Sequence, residues 1–576
     1  MDYRERYRQW MESPVIDKAT KDELAAIAND ERELENRFYK DLEFGTGGLR
    51  GIIGAGSNRM NRYTVGRATQ GLANYIIKHG REAMNRGVVI AYDTRRMSKE
   101  FALEAALVLN ANGIKVYLYD EMQPTPILSF SVRELGAISG IVITASHNPP
   151  AYNGYKVYWE DGGQVPPRRS EEIIKEVYAV KRFEDIKTIS REQAEAQGLL
   201  DIIGEDMVNR YISRVKNLSI NKQLIREMGN RLKIVYTPIH GTGNKPVRRV
   251  LRELGFGNVI VVPEQELPDP NFPTVKFPNP EEAEVFDLAI ELAKKHQADI
   301  IIGTDPDCDR VGVVVRDSCG EYTFLTGNQT GALLVNYVLG ALQRQGRLPA
   351  NGAIIKTIVT SEMGREIAKS YGVEAVDTYT GFKFICEKVK EFEEAGDRTF
   401  LFGYEESYGY LAGDFVRDKD GIIASMLICE MAAYYKARDM NLCDGLAELW
   451  DRFGYYHDVQ ESVYLEGREG MDRIRQIMED FRHNPPVQVG GIKVVTIQDY
   501  KELKAYYPGK DRVDSINMSI PSDVLRYQLE DGSWFAIRPS GTEPKIKLYF
   551  STVRKSRKDA ENSMHGIVAE VMDRIR

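Results

Sequence analysis

The chain has 576 residues, 28% of them charged and 43% hydrophobic, with 77 Lys plus Arg against 85 Asp plus Glu. That length is several times the ~150-residue domain, enough to bury roughly three quarters of its surface without disulfide or metal staples, and the ordinary composition excludes a disordered, collagenous or coiled-coil chain. The net charge of -8 argues against a dedicated nucleic-acid or anionic-membrane binder, while leaving room for a local basic pocket.

The opening segment MDYRERYRQW is too charged for a secretory signal, and apolar Leu24, Ile27, Leu34 and Phe38 recur at helical spacing. An internal repeat follows. A β-branched run at 88–93 leads through a polar turn into a helical stretch at 99–110, then Gly113 and a second strand at 114–119. The same grammar returns at 232–236, 245–254, Gly255 and 259–262, and again at 353–358, 362–371, Gly372 and 373–376. Strand, helix, glycine stop and strand make a βαβ unit, so three like α/β domains are expected. Further buried strands at 141–144, 299–303 and 400–402 each run into a polar loop. Ligands in open α/β sheets bind beyond the carboxyl ends of strands, so the three loops are placed to share one cleft. From about residue 455 the pattern changes to alternating strands at 460–465, 492–497, 527–529, 534–538 and 545–550, with helices at 470–482 and 558–576. This predicts a fourth, α+β domain. The expected division is 1–210, 211–322, 323–454 and 455–576. Apolar runs fall far short of the ~20 residues that span a bilayer. Five cysteines with no C-x-x-C spacing exclude a disulfide framework and a thiolate zinc site, and point to the cytoplasm.

The first loop is Thr144-Ala145-Ser146-His147-Asn148-Pro149, followed by Asn153-Gly154-Tyr155-Lys156. Ser146 at a strand end is either a nucleophile or a turn residue. G-x-S-x-G is missing, and in an extended segment the side chains of Ser146 and His147 would point apart. The second loop, Gly303-Thr304-Asp305-Pro306-Asp307-Cys308-Asp309-Arg310, sets three carboxylates at alternate positions between very apolar flanks. Bare carboxylates ~4 Å apart repel by several kcal/mol, so a divalent cation is expected to neutralise them. An EF-hand would need Gly and Glu where Arg310 and Arg316 stand. A hard oxygen site for Mg²⁺ with open coordination positions remains. The third loop, Gly403-Tyr404-Glu405-Glu406-Ser407-Tyr408-Gly409, offers acceptors and donors for sugar hydroxyls, or is a solvated acidic turn. The fourth, Arg538-Pro539-Ser540-Gly541-Thr542-Glu543-Pro544-Lys545, combines Arg, hydroxyls and a glycine-freed backbone into a nest for a phosphate dianion. It is no Walker A loop, and the glycine-rich 45–51 stretch follows no clear strand, which disfavours a Rossmann reading.

TASHNP, GTDPDCDR, GYEESYG and RPSGTEPK, in this order, resemble the motifs of the α-D-phosphohexomutase superfamily across nearly the whole chain. The resemblance implies three α/β domains with mixed sheets around a central cleft and a C-terminal domain of TATA-binding-protein-like topology. It implies an isomerase in which Ser146 carries the phosphoryl group and Asp305, Asp307 and Asp309 hold Mg²⁺ together with a phosphoserine oxygen. Glu405 and Ser407 would hold the sugar, and Arg310 and Lys383 would contact phosphate. Arg538, Ser540, Gly541 and Thr542 would grip the distal phosphate. Lys156 matches the family's proposed general acid/base, with His147 the second candidate, and Arg50 the arginine facing the phosphoserine. The implied substrate is a small phosphosugar, passing through glucose 1,6-bisphosphate, in a monomer or dimer. Glucose phosphate is the expected substrate, since no histidine follows the third loop. Pentose or mannose phosphate is the alternative, and a phosphosugar-binding protein on the same fold is the non-enzyme reading.

Overall fold

The computed structural model describes residues 2–45, 47–465, 467–518, 520–540 and 545–576. It opens with three helices, α1 (Tyr3–Glu12), α2 (Lys18–Ala26) and α3 (Glu31–Phe38). Asp17 and Asp30 cap the second and third, accepting the Thr20 and Glu33 N–H groups, contacts that contribute about 1 kcal/mol each. Leu24, Leu34 and Phe38 are buried with Trp10 and Ile16 against Tyr63.

The repeat is realised as three sheets of one plan. In the first, β1 (Gly48–Ile52) is an edge strand, followed by β2 (Val88–Tyr92), β3 (Val116–Tyr119), β4 (Ser139–Ile143), β5 (Tyr152–Trp159) and β6 (Leu200–Ile203). The second holds β7 (Ile234–Thr237), β8 (Val259–Val261), β9 (Ile300–Thr304), β10 (Val311–Arg316) and β11 (Tyr322–Leu325). The third holds β12 (Gly352–Thr357), β13 (Glu374–Thr378), β14 (Thr399–Tyr404) and β15 (Tyr410–Leu411). In each, a central strand (β2, β7, β12) pairs parallel with the strand after its helix and with a third strand (β4, β9, β14). That third strand then pairs antiparallel with a fourth (β5, β10, β15), so each sheet is mixed. The three polar loops are the connections β4–β5, β9–β10 and β14–β15, which makes them equivalent. Each carries one non-glycine residue in the left-handed region: Ser146 (φ 51°), Cys308 (φ 54°) and Tyr408 (φ 62°). Such a conformation costs of order 1 kcal/mol or more and persists only where the surroundings enforce it. β2, β4 and β9 are buried at every position, which explains why they carry no charged residue and are rich in Val and Ile.

The glycine-rich 45–51 stretch supplies β1, antiparallel to β5 with Arg50 opposite Gly154. Gly48 is required there, because a Cβ would lie 1.8 Å from the Tyr155 carbonyl oxygen. The helix Gly421–Lys436 is apolar on all sides and buried along almost its whole length, as an all-round hydrophobic helix must be. One apolar cluster runs through all three sheets, from Val89 to Leu449. Glu430 adds a polar weld, its carboxylate accepting from Ser219 Oγ, the Ile220 and Asn221 N–H groups and Tyr337 Oη.

The last part is an antiparallel sheet. Its strands are β16 (Tyr455–Tyr464), β17 (Gln488–Val489), β18 (Ile492–Asp499), β19 (Lys504–Tyr506), β20 (Val513–Ser515), β21 (Leu525–Leu529), β22 (Trp534–Pro539) and β23 (Lys545–Arg554). Helices Gly467–His483 and Arg557–Ile575 pack on it around Phe481, Met564 and Ile567, giving this layer its own core. It meets the third sheet's domain through a small apolar seam, Ile358, Val359 and Tyr379 against Trp534, Ala536 and Tyr549, and through Arg526 paired with Glu362 at 2.9 Å. No helix among the described residues is long and apolar enough to cross a membrane.

Candidate active site

The left-handed turn at Ser146 is imposed by a dense set of contacts. Thr144 Oγ1 accepts the Ser146 N–H at 2.8 Å and donates to Asp93 Oδ2 at 2.6 Å. The buried guanidinium of Arg95 donates to the carbonyls of Ser146, Asn148, Pro149 and Tyr152, and lies 3.5 Å from Asp93. Arg95 thus supplies donors to four carbonyls of one loop, where an unmet buried carbonyl is costly. Arg50, on β1, donates to Asn148 Oδ1 at 2.9 Å. The turn also corrects one expectation. The Ser146 and His147 side chains do not diverge, because the backbone here is not extended, and Ser146 Oγ lies 3.3 Å from His147 Nδ1. Burial, with Arg310 and Arg50 adding to it, holds the His147 pKa well below that of a free imidazole, so the ring is neutral.

The second loop closes on the first. Ser146 Oγ donates to Asp305 Oδ2 at 3.0 Å, while Asp305 Oδ1 accepts the Asp309 and Arg310 N–H groups, each at 3.0 Å. Thr125, at the start of a helix of the first domain, anchors Asp307 through both backbone and side chain at 2.9 Å. The ligand oxygens of Asp305, Asp307 and Asp309 lie within 4.8 Å of one another, and all three residues are buried. Asp307 Oδ1 and Asp309 Oδ1 are buried with no hydrogen-bond partner. Two orphaned carboxylate oxygens beside a third carboxylate are the donor set of a hard divalent cation, so these residues fit a metal ion. The electrostatics are divided accordingly. Burial and the neighbouring Asp309 and Asp307 push Asp305 well above the usual carboxylate range. Burial acts on Asp307 in the same sense, yet the Lys156 ammonium, 2.9 Å away, holds it well below that range. Lys156 is also 3.7 Å from Asp309.

The third loop packs against the second. Arg310 forms a backbone bridge with Gly409, and the Val311 N–H donates to the Tyr408 carbonyl at 3.1 Å. Glu405 is buried, and burial pushes its pKa up to about 7 despite Lys419. Glu406 accepts from Thr357 and Thr360 at 3.0 and 3.2 Å, and Ser407 is half-buried. Arg310 directs its guanidinium to Glu281. Lys383 lies against the Phe384 ring, and burial draws its pKa down to about 8, with Arg538 of the fourth domain adding to the effect. Arg538, opposite Lys547 on β22 and β23, is half-buried and hydrogen-bonded to Tyr549. The Ser540 N–H donates to the Lys545 carbonyl at 2.8 Å. Gly541 and Thr542 lie outside the described residues.

Several residues here escaped the sequence reading. Arg95, Asp93 and Thr125 sit in polar turns with no distinctive spacing. Lys419 had a signal: Arg417-Asp418-Lys419-Asp420 is a charged run between apolar stretches, and all four residues are buried. Asp420 caps the buried helix, accepting the Ile422 and Ile423 N–H groups, and this places Lys419 Nζ 3.1 Å from Asp309. His240, by contrast, orders the 265–274 loop, with its ring nitrogens 3.1 Å from the Leu267 carbonyl and 2.9 Å from Thr274 Oγ1.

A serine hydroxyl facing three buried carboxylates, where loops of the first two sheets meet, is an arrangement suited to phosphoryl transfer. Models of the phosphoglucomutase/phosphomannomutase α/β/α domains I, II and III match residues 41–183, 209–320 and 326–453, and the model of the C-terminal domain matches 487–564. A curated phosphoglucomutase of Staphylococcus haemolyticus is 40% identical over 518 residues, 90% of this chain and 91% of that one. Among solved structures, a putative phosphomannomutase from Thermus thermophilus superposes with a TM-score of 0.67 at 22% identity, covering 93% of this chain and 99% of that one. The Paramecium phosphoglucomutase pp63/parafusin, in its open form, gives 0.69 at 18% identity, covering 93% and 95%. The chain belongs to the phosphoglucomutase/phosphomannomutase family and is an intramolecular phosphotransferase, an isomerase.

Proposed function

We propose that the protein interconverts α-D-glucose 1-phosphate and glucose 6-phosphate through a phosphoserine at Ser146 and a glucose 1,6-bisphosphate intermediate. The observation that carries this reading is Ser146 Oγ held 3.0 Å from Asp305 within the buried aspartate group. Similarity to phosphoglucomutases at 40% identity supports glucose as the sugar. Asp305, Asp307 and Asp309 would hold Mg²⁺, which would supply charge neutralisation for the transferring phosphoryl group, and positioning with electrostatics provides the rest of the rate. Phosphoserine 146 gives its phosphoryl group to a sugar hydroxyl, whose proton leaves to a base, and the serine oxygen is released. The bisphosphate turns in the cleft, and its other phosphoryl group returns to Ser146 while the sugar oxygen it leaves takes up a proton. Lys156, beside Asp307, is the proton carrier, taking the hydroxyl proton as the free amine and returning it as the ammonium, and neutral His147 is the second candidate. Glu405 and Ser407 hold the ring hydroxyls in both orientations. Arg310, Lys383, Arg538, Ser540, Gly541 and Thr542 take the phosphates, and Arg50 faces the phosphoserine. The domains fall at 1–210, 211–322, 323–454 and 455–576, and five free cysteines suit a cytoplasmic setting.

The test compares rates on glucose 1-phosphate, mannose 1-phosphate and ribose 1-phosphate, each with a catalytic trace of glucose 1,6-bisphosphate. Glucose 1-phosphate is expected to be fastest, and a chelator is expected to abolish turnover, with Mg²⁺ restoring it. A faster pentose reaction would make the protein a pentose phosphate mutase, and a rate indifferent to chelator would make the three aspartates structural.

A further inference from the structure

The family match begins at residue 41, so α1, α2 and α3 lie before it, and no step of the reaction above uses them. Their apolar side rests on Tyr63 and Phe183, while their polar side grips the chain at 53–61, just after β1. Arg37, in the last turn of α3, donates to the Ala55 carbonyl at 3.1 Å and to Glu33 at 2.7 Å, and pairs with Glu23 at 2.5 Å. Glu23 in turn accepts the Ala55 N–H at 3.1 Å, so one ion pair holds both backbone groups of a single residue. The Asn58 N–H donates to the Arg37 carbonyl at 2.9 Å, and the side chains of Asn58 and Arg59 donate to the Asn36 carbonyl at 3.0 and 3.2 Å. Gly56 passes so close that a Cβ would lie 2.9 Å from the Arg37 carbonyl oxygen.

The gripped segment matters because of what it secures. β1 is an edge strand with β5 on one side only, and an edge paired once is the part of a sheet that frays most readily. The 53–61 segment folds back on its end: the Met60 N–H donates to the Ile52 carbonyl at 2.8 Å and the Gly54 N–H to the Met60 carbonyl at 3.1 Å. Two residues before Ile52 stands Arg50, which reaches Asn148 in the serine loop. Hydrogen bonds and the chain itself therefore lead from α2 and α3 to Arg50, whose side chain reaches the serine loop at Asn148.

We infer that the three N-terminal helices are a brace that holds Arg50 against the serine loop, with Arg37 as its positioning residue. Arg37 touches no reacting atom and acts on turnover through Arg50 alone. The inference rests on the mutase reading for its assay. Substitutions at separated sites without shared partners add in free energy, so coupling between Arg37 and Arg50 is the diagnostic. The experiment measures kcat/KM for glucose 1-phosphate in the parent, Arg37→Ala, Arg50→Ala and the double variant. Arg37→Ala is expected to lower kcat/KM about tenfold in the parent and less than twofold in the Arg50→Ala background. An equal factor in both backgrounds, or no loss in the parent, overturns the brace. Should Arg37→Ala fail to fold by circular dichroism, Glu23→Gln, which keeps Arg37 and weakens its grip, takes its place in the cycle with the same two outcomes. A parent without mutase turnover would sink the mutase reading and not this one. The brace is then read by amide exchange, which is expected to speed up at residues 48–56 in Arg37→Ala, and unchanged exchange overturns it.

Discussion

The serine loop and the fourth-domain loop, both of which we propose serve phosphate, are built in opposite ways. The serine loop belongs to a body of three domains sharing one apolar core, and Arg95, Asp93, Thr144 and Asp305 fix its turn through backbone and hydroxyl alike. Arg538 and Ser540 stand half-buried on a layer with its own core that meets the body through a small seam and the Glu362–Arg526 pair. A covalent carrier gains from rigidity, because a displacement of about 1 Å can cost a hundredfold in rate. A grip that must release one phosphate and take up another gains from a layer able to move as a unit. The contrast separates what must stay still from what must let go.

The harshest challenge to the fixed half is Ser146→Ala. Loss of the carrier oxygen is expected to cut mutase turnover by roughly 10⁴ or more, with the fold intact by circular dichroism, because no neighbouring group replaces it. Intact-mass measurement should show a phosphorylated fraction in the parent and none in the variant. Turnover surviving in the variant would place the carrier elsewhere.

Arg95→Met tests whether the rigidity itself is needed. Removing the guanidinium takes the cation from beside buried Asp93 and the donor from several loop carbonyls, a loss of about 3–5 kcal/mol by analogy with other broken buried pairs. Urea unfolding should show that loss of stability, and kcat should fall more than KM rises. A variant as stable as the parent would mean that the loop holds its turn without Arg95.

On the releasing half, Arg538→Ala is expected to raise KM for glucose 1-phosphate and lower kcat together, for a combined loss of roughly thirty- to a hundredfold, the worth of a charged bidentate contact in a closed site. Steady-state kinetics, with small-angle scattering with and without substrate, would check it. A kcat/KM within twofold of the parent would remove Arg538 from the phosphate grip.

The mildest effect links the halves through pH. With its pKa drawn down to about 8, Lys383 is a cation below that pH and neutral above it. Substrate phosphate binding should therefore weaken as pH rises through about 8, seen as a several-fold rise in KM, and Lys383→Arg should remove that alkaline limb. Because Arg538 adds to the depression, Arg538→Ala should move the limb to higher pH. An unmoved limb would mean that the two cations do not sense each other.

Much of this arrangement was legible along the chain. The strand runs at 88–93, 232–236 and 353–358 are observed as Val88–Tyr92, Ile234–Thr237 and Gly352–Thr357, because β-branched runs buried on both faces leave few alternatives. The Asp305, Asp307 and Asp309 spacing was legible for a related reason: alternate carboxylates between apolar flanks demand a counter-charge. The left-handed turn at Ser146 was not legible. Local preference disfavours it, and it exists only because Arg95 and Asp93, far earlier in the chain, meet the loop in space.

The sequence by itself determined the βαβ repeat, the polar loops at the strand ends and the change of pattern near residue 455, since each rests on local periodicity and on which residue types can be buried. Only the tertiary structure decided that Ser146 and His147 lie together, that Lys156 and Lys419 face the aspartates, that Glu281 takes the Arg310 guanidinium, and that the N-terminal helices secure β1. These are pairings of single polar groups across long stretches of chain. Such pairings leave no periodic trace in the sequence, and they form once the apolar cores have fixed where the loops end.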